Sequence, residues 1–224
     1  MHAALLLLAD GRLPTGGHAH SAGTESSVAI GDVVDIATLR SHVQRRLATS
    51  GFVDAAFAAS ACAHAPASAP WWRELAAEYM ARTGSPKLRA VSLTLGRQLL
   101  RTGRRAWPSP LYDIAAGALD AAVPQPIAMG LVARAAGCSP VETATVELHH
   151  LVGSLTTAAV RLLGLDPFDV AALCASLALE VESWAATATD SCHGHPATLP
   201  GDVELVTDVL AEHHTTWEVR LFAS

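Results

Sequence analysis

Four dipeptides constrain this chain more than anything else in it: Ser85-Pro86, Ser109-Pro110, Ser139-Pro140 and Asp166-Pro167. Each sets a side chain able to cap a helix N-terminus directly before a proline. Proline loses nothing at the first helical position, because that N–H has no partner within the helix. Ser139 is followed three residues later by Glu142, the spacing of a capping box. Gly103, Gly137 and Gly164 each close an apolar-periodic stretch where a left-handed residue is wanted after a helix. Composition agrees: 44 alanines and 29 leucines stand against an aromatic share of 5%, which favours helix over a β-rich core. The pattern predicts helices near 2–9, 21–30, 36–49, 52–64, 70–82, 86–102, 110–121, 126–136, 140–163, 167–187 and 202–215. The expected fold class is all-α, one multi-helix bundle of about ten helices formed by residues 1–224 as a single domain.

Two stretches set expectations for packing. Val141 to Leu163 carries charge only at Glu142, Glu147 and Arg161, so it reads as a central helix whose small residues, Gly153, Ser154, Thr156 and Thr157, admit close neighbours. Ala37 to Leu47 sets Arg40, His42, Gln44, Arg45 and Arg46 against apolar positions and reads as an amphipathic surface helix.

Charge and composition exclude several functions. Hydrophobic residues make up 50% of the chain and charged ones 16%, so a sizeable core forms and some apolar surface is expected to be covered by a partner. A net charge of −6 gives no reason to expect a nucleic-acid partner. Lys87 is the only lysine and follows Pro86, so no phosphate-binding Gly-Lys-Ser/Thr loop exists, and Pro14-Thr15-Gly16-Gly17 carries no lysine. Any nucleotide chemistry therefore belongs to another chain. The apolar start Leu5 to Leu8 lacks a preceding Lys or Arg and meets Asp10 and Arg12 at once, so neither a signal peptide nor a membrane span is expected. Cys62, Cys138, Cys174 and Cys192 lie far apart and read as buried thiols of a cytoplasmic protein.

Histidine is the richest chemical lead, with 11 in the chain. Asp190-Ser191-Cys192-His193-Gly194-His195 offers nitrogen and sulfur donors suited to nickel or zinc, which makes Cys192, His193 and His195 weak metal candidates. The competing reading is a solvated turn. His149-His150 and His213-His214 are adjacent on helices, diverge by ~100° and cannot face one ion together. A helical metal enzyme would need paired E-x-x-H motifs, and Glu147-Leu148-His149-His150 supplies a single instance. No G-x-S-x-G elbow is present, so no catalytic residue is assigned. A generic helical adaptor is the remaining alternative.

What remains is a loop and a tail. Leu13-Pro14-Thr15-Gly16-Gly17-His18-Ala19-His20-Ser21 has a proline-fixed entry, two glycines and polar rings. The tail, about 215–224, ends with Trp217, Arg220, Leu221 and Phe222, types that dock in a groove on a partner or a dimer mate.

These segments carry a resemblance to the urease accessory protein UreF family. The loop is similar to that family's L-P-[TV]-G-[GA]-x-x-[YH]-S-x-G-x-E signature through Leu13 to Gly17, His20, Ser21, Gly23 and Glu25. Leu88 to Leu100, Ala158 to Leu162 and the terminal Arg220-Leu221-Phe222-x-Ser224 match further family motifs in order. Gln125 stands before Pro126-Ile127 where the family commonly has a histidine. The resemblance implies an all-α homodimer that is not itself an enzyme and holds no firm cofactor. It implies binding to UreD (also called UreH), recruitment of the GTPase UreG with its bound GTP, and nickel delivery to apo-urease. On this reading His20, Ser21 and Glu25 face the GTPase or the dimer mate, and Trp217, Arg220, Leu221 and Phe222 anchor the tail on UreD. Pro14, Gly16 and Gly17 shape the loop, while Arg97 and Arg161 are structural, with Arg97 expected to cap buried carbonyls.

Overall fold

The computed structural model describes residues 3–218, 221 and 222, without the side chain of His18. Arg220 therefore lies outside the described residues. The helices run in the order α1 (Ala3–Ala9), α2 (Thr24–Ala29), α3 (Ile36–Arg46), α4 (Phe52–His64), α5 (Ala69–Arg82) and α6 (Pro86–Ala106). They continue with α7 (Leu111–Ala118), α8 (Gln125–Ala135), α9 (Pro140–Leu163), α10 (Pro167–Ser176), α11 (Ala178–Asp190) and α12 (Leu205–His214). No strand occurs among the described residues, so the all-α class holds.

The expected starts form as capped helices. Ser85 Oγ accepts from the Leu88 N–H at 3.1 Å, Asp166 from the Phe168 N–H at 2.8 Å, and Ser139 makes a reciprocal box with Glu142. Ser109 is weaker: Pro110 takes the cap position, and Ser109 Oγ accepts from the Leu111 N–H at 3.3 Å. Gly137 and Gly164 adopt the left-handed backbone expected after a helix, with φ 83° and 66°. Gly103 does not stop its helix. It is buried inside α6, where an added Cβ would lie 2.6 Å from Val132 Cγ2, so its smallness serves the crossing of α6 over α8.

Two cores share α4 as their common wall. Phe57, Ala58 and Ala61 face Trp72, Leu99, Tyr112, Ile127 and Leu131, while Ala55, Ala56 and Ala59 face Leu39, Leu148, Leu155 and Leu173. A helix of alanines buried on both sides lets neighbours approach closely. At the α4–α8 crossing a Cβ on Gly130 would stand 2.4 Å from the Ala58 carbonyl oxygen. The α9 helix is central as expected, packing on α4, α8, α11 and α2. Its small residues behave otherwise: nothing lies within 4 Å of a Cβ at Gly153, and Gly153, Ser154 and Thr157 line an open cleft.

Besides α6, the helices expected at 21–30, 110–121 and 202–215 are shorter by up to three residues at an end, and two further stretches differ in kind. The stretch 167–187 is two helices bent by 45° about the buried Leu177. There Ser176 Oγ donates back to the Leu173 carbonyl at 2.7 Å, a bond that competes with the helix ladder. The helix begun at Ile36 ends at Arg46 and passes through a wide turn, Leu47–Gly51, into α4. That helix is also less of a surface helix than its pattern suggests, because His42 and Arg46 are buried. Among the described residues no single helix is long and apolar enough to cross a membrane.

Candidate functional site

The loop Leu13–Glu25 owes its shape to left-handed backbone at Gly16 (φ 85°), Ala22 (φ 52°) and Gly23 (φ 92°). Its entry is pinned to α6, where Thr102 Oγ1 donates to the Pro14 carbonyl at 2.7 Å and a Cβ on Gly16 would touch Leu95. Gly17 opens the short turn that leads to His20. At the far end, Thr24 Oγ1 donates to the Leu155 carbonyl at 3.4 Å, which ties α2 to α9.

Glu25 is the centre of this arrangement. Its carboxylate pairs with His214 Nε2 at 2.8 Å and accepts from the backbone N–H groups of Leu221 (2.7 Å) and Phe222 (3.2 Å). Phe222 is buried, with the Arg161 guanidinium 4.7 Å from its ring centre. Loop and tail, 196 residues apart in sequence, thus meet at one carboxylate. Such charge-assisted bonds to backbone N–H groups are stronger than neutral ones.

The structure redistributes the expected roles. Ser21 and Glu25, expected to face a partner, are buried at 0% and 7% exposure, with Glu25 fully engaged inside the chain. His20 stays half-buried at the cleft rim, its pKa lowered by burial and by Lys87. Trp217 folds back on α12, its indole N–H donating to His213 Nδ1 at 3.1 Å and its ring 4.7 Å from that of His214. Leu221 is exposed while Phe222 lies in the groove of its own chain. Arg97 is not a cap for buried carbonyls. It is exposed and meets Thr94 Oγ1 of its own helix at 3.0 Å, because its position on α6 faces outward. Carbonyl capping falls to Arg82, which donates to Pro200 (2.9 Å), Leu199 (3.0 Å) and Glu78 (2.8 Å), and to Arg46, which donates to Ala22 at 2.6 Å.

Beside the loop and tail opens a cleft of about 390 Å³, walled by α6, α9 and α12. Its deepest polar groups include Asp54, Tyr79, Gln125, Glu147 and Arg46. Gln125 Nε2 donates to Glu147 Oε2 at 3.1 Å, and the Gln125 backbone N–H donates to Ser92 Oγ at 3.0 Å. Burial, aided by the Asp54 charge, pushes Glu147 up to about 8. Burial likewise raises Asp54 to about 6, against the opposing pull of a Tyr79 hydrogen bond and the Arg46 charge. Two protonatable carboxyl groups thus sit on the cleft floor without a direct ion pair among the described residues. From the sequence Glu147 stands out only as a charge on the central helix and in one E-x-x-H pair, and Asp54 not at all. The floor's one signal was a lone acid in each of two runs otherwise free of Asp, Glu, Lys and Arg, Asp54 in 52–64 and Glu147 in 143–160.

The suggested metal ligands diverge. Cys192 is fully buried, His193 sits with its ring 6.1 Å from that of His64, and His195 Nε2 pairs with Glu74 at 3.1 Å. Among the described residues no three His, Cys, Asp or Glu side chains converge as an ion would need.

The UreF family model matches residues 33–178. The chain is 43% identical to the urease accessory protein UreF of Mycolicibacterium vanbaalenii over 223 residues, covering 99% of this chain and 98% of the relative. It is 38% identical to the UreF of Mycobacterium marinum over 224 residues, and 34% identical to that of Mycobacterium tuberculosis over 225, each at 99% of this chain and 98% of the relative. With the loop signature folded onto the tail motif and kinship running the whole length, the chain belongs to the UreF family of urease accessory proteins.

Proposed function

We propose that this chain serves urease maturation as a non-catalytic helical adaptor, which binds UreD (UreH) and with it recruits the nickel-carrying GTPase UreG. GTP is bound by that partner, and nickel is the cargo that the assembly passes to apo-urease. The adaptor works as a homodimer in the cytoplasm. Membership of the UreF family supports the maturation role. The observation that supports the finer reading is the junction of loop and tail at Glu25, beside which Leu221 stays exposed. The chain's own lack of a phosphate-binding lysine loop supports a separate GTPase.

The test is reconstitution. Tagged full-length chain is mixed with purified UreD, then UreG and GTP, and complexes are followed by size-exclusion chromatography with light scattering. Ordered capture of UreD and then UreG is the expected result. Turnover of a substrate by the chain alone, or failure to capture UreD at micromolar concentration, refutes the reading.

A further inference from the structure

Helix α6 gathers positive charge in an acidic protein. Lys87, Arg89, Arg97, Arg101, Arg104 and Arg105 are six of the 15 basic residues in the chain, and α6 contains no Asp or Glu. Arg97, Arg101, Arg104 and Arg105 fall within an arc of about 100° and a rise of about 12 Å, so they form one exposed ridge. Like charges at i, i+4 destabilise a helix. Arg104 is relieved by Asp113 at 3.0 Å. Among the described residues, no ion pair relieves Arg97, Arg101 or Arg105. The ridge borders a groove lined by Leu13, Pro14, Gln98, Arg101, Thr102 and Arg105, and the Thr102–Pro14 bond holds the far wall in place.

We infer that this ridge and groove dock an acidic helical segment of a protein partner. Arg97, Arg101 and Arg105 recur every ~6 Å along α6, the spacing at which carboxylates recur on a second helix at i, i+4 and i+8. Guanidinium groups bind carboxylates through paired hydrogen bonds, a geometry that lysine does not offer. The groove beside them adds an apolar wall at Leu13 and Pro14 and amide and hydroxyl groups at Gln98 and Thr102. A nucleic acid is disfavoured because the ridge is short and the remainder of a chain of net charge −6 repels a long polyanion. The inference goes beyond the urease reading and stands on the arginine ridge of α6 and the groove beside it.

The experiment measures fluorescence anisotropy of full-length chain with a labelled alanine-rich helical peptide bearing Glu at i, i+4 and i+8, and with its Gln counterpart. The expected result is at least tenfold tighter binding of the Glu peptide at low salt, weakening as salt rises. The R97E/R101E/R105E variant loses that tenfold preference, and R97Q/R101Q/R105Q, which adds no repulsion at the same exposed positions, loses most of it. Equal binding of the two peptides overturns the inference, as does an unchanged preference in a folded variant. Tighter binding of a single-stranded oligonucleotide or of phosphatidylglycerol vesicles also overturns it, and reassigns the ridge.

Discussion

Glu147 gives the sharpest test of the cleft, through the pH dependence of stability. Its carboxyl group is raised from an ordinary value near 4.5 to about 8, chiefly by burial. In the unfolded chain it is fully ionised above pH 6, whereas in the folded chain it keeps its proton until about pH 8. The folded state then binds more protons, so stability falls as pH rises between those limits, at up to ~1.4 kcal/mol per pH unit. From pH 6.5 to 8 this group dominates the slope. Asp54, raised to about 6, has lost most of its proton there, and His42, lowered to about 4, and His20, also lowered, oppose the slope only near their unfolded value of 6.5. Across that window the wild-type chain should lose about 1–1.5 kcal/mol, or ~2–6 °C in melting temperature for a chain of this length. Glu147→Gln keeps a side chain that can still pair with Gln125 and removes the ionisation, so its stability should be flat or rise slightly over the same range. Urea unfolding followed by circular dichroism at four pH values measures both slopes. A wild-type chain whose stability is level or rising from pH 6.5 to 8, or a variant with the same slope, would refute the assignment of a protonated carboxyl to the cleft floor.

Three further outcomes follow from the packing. Gly130→Ala should cost more than about 3 kcal/mol or prevent folding, because its Cβ would meet the Ala58 carbonyl at 2.4 Å, while Gly153→Ala, with nothing within 4 Å, should be neutral or stabilising by up to ~1 kcal/mol; thermal melts compare them. Glu25→Gln leaves one oxygen to serve three donors, and should cost about 2–4 kcal/mol and speed amide exchange at Leu221 and Phe222, which hydrogen-exchange mass spectrometry reads directly. Deleting Trp217 to Ser224 removes the buried Phe222 ring, should lower stability by about 1.5–3 kcal/mol with helicity retained, and should abolish capture of UreD; retained capture removes the tail from the docking surface.

What was legible in the sequence was local. Ser85-Pro86, Ser139-Pro140 and Asp166-Pro167 each begin a helix, because capping depends on groups three residues apart and on nothing distant. The loop and tail stood out for the same reason, as short runs of unusual residue types. Local spacing misleads where the answer depends on what lies opposite. Gly103 and Gly153 look alike in the chain, yet one faces Val132 and the other faces open space. Arg97 and Arg46 are both arginines on predicted helices, and only the direction each faces makes one an exposed ridge residue and the other a buried carbonyl cap.

By itself, then, the sequence determined that this chain is a set of capped, alanine-rich helices without a nucleotide loop of its own, since caps, periodicity and a missing lysine are properties of neighbours in the chain. Only the tertiary structure decided that Glu25 holds a tail 196 residues away, that Asp54 and Glu147 share a cleft floor, and that four arginines of α6 form one ridge beside Pro14. Burial and the pairing of charges across helices are set by packing, and packing is where local spacing stops carrying information.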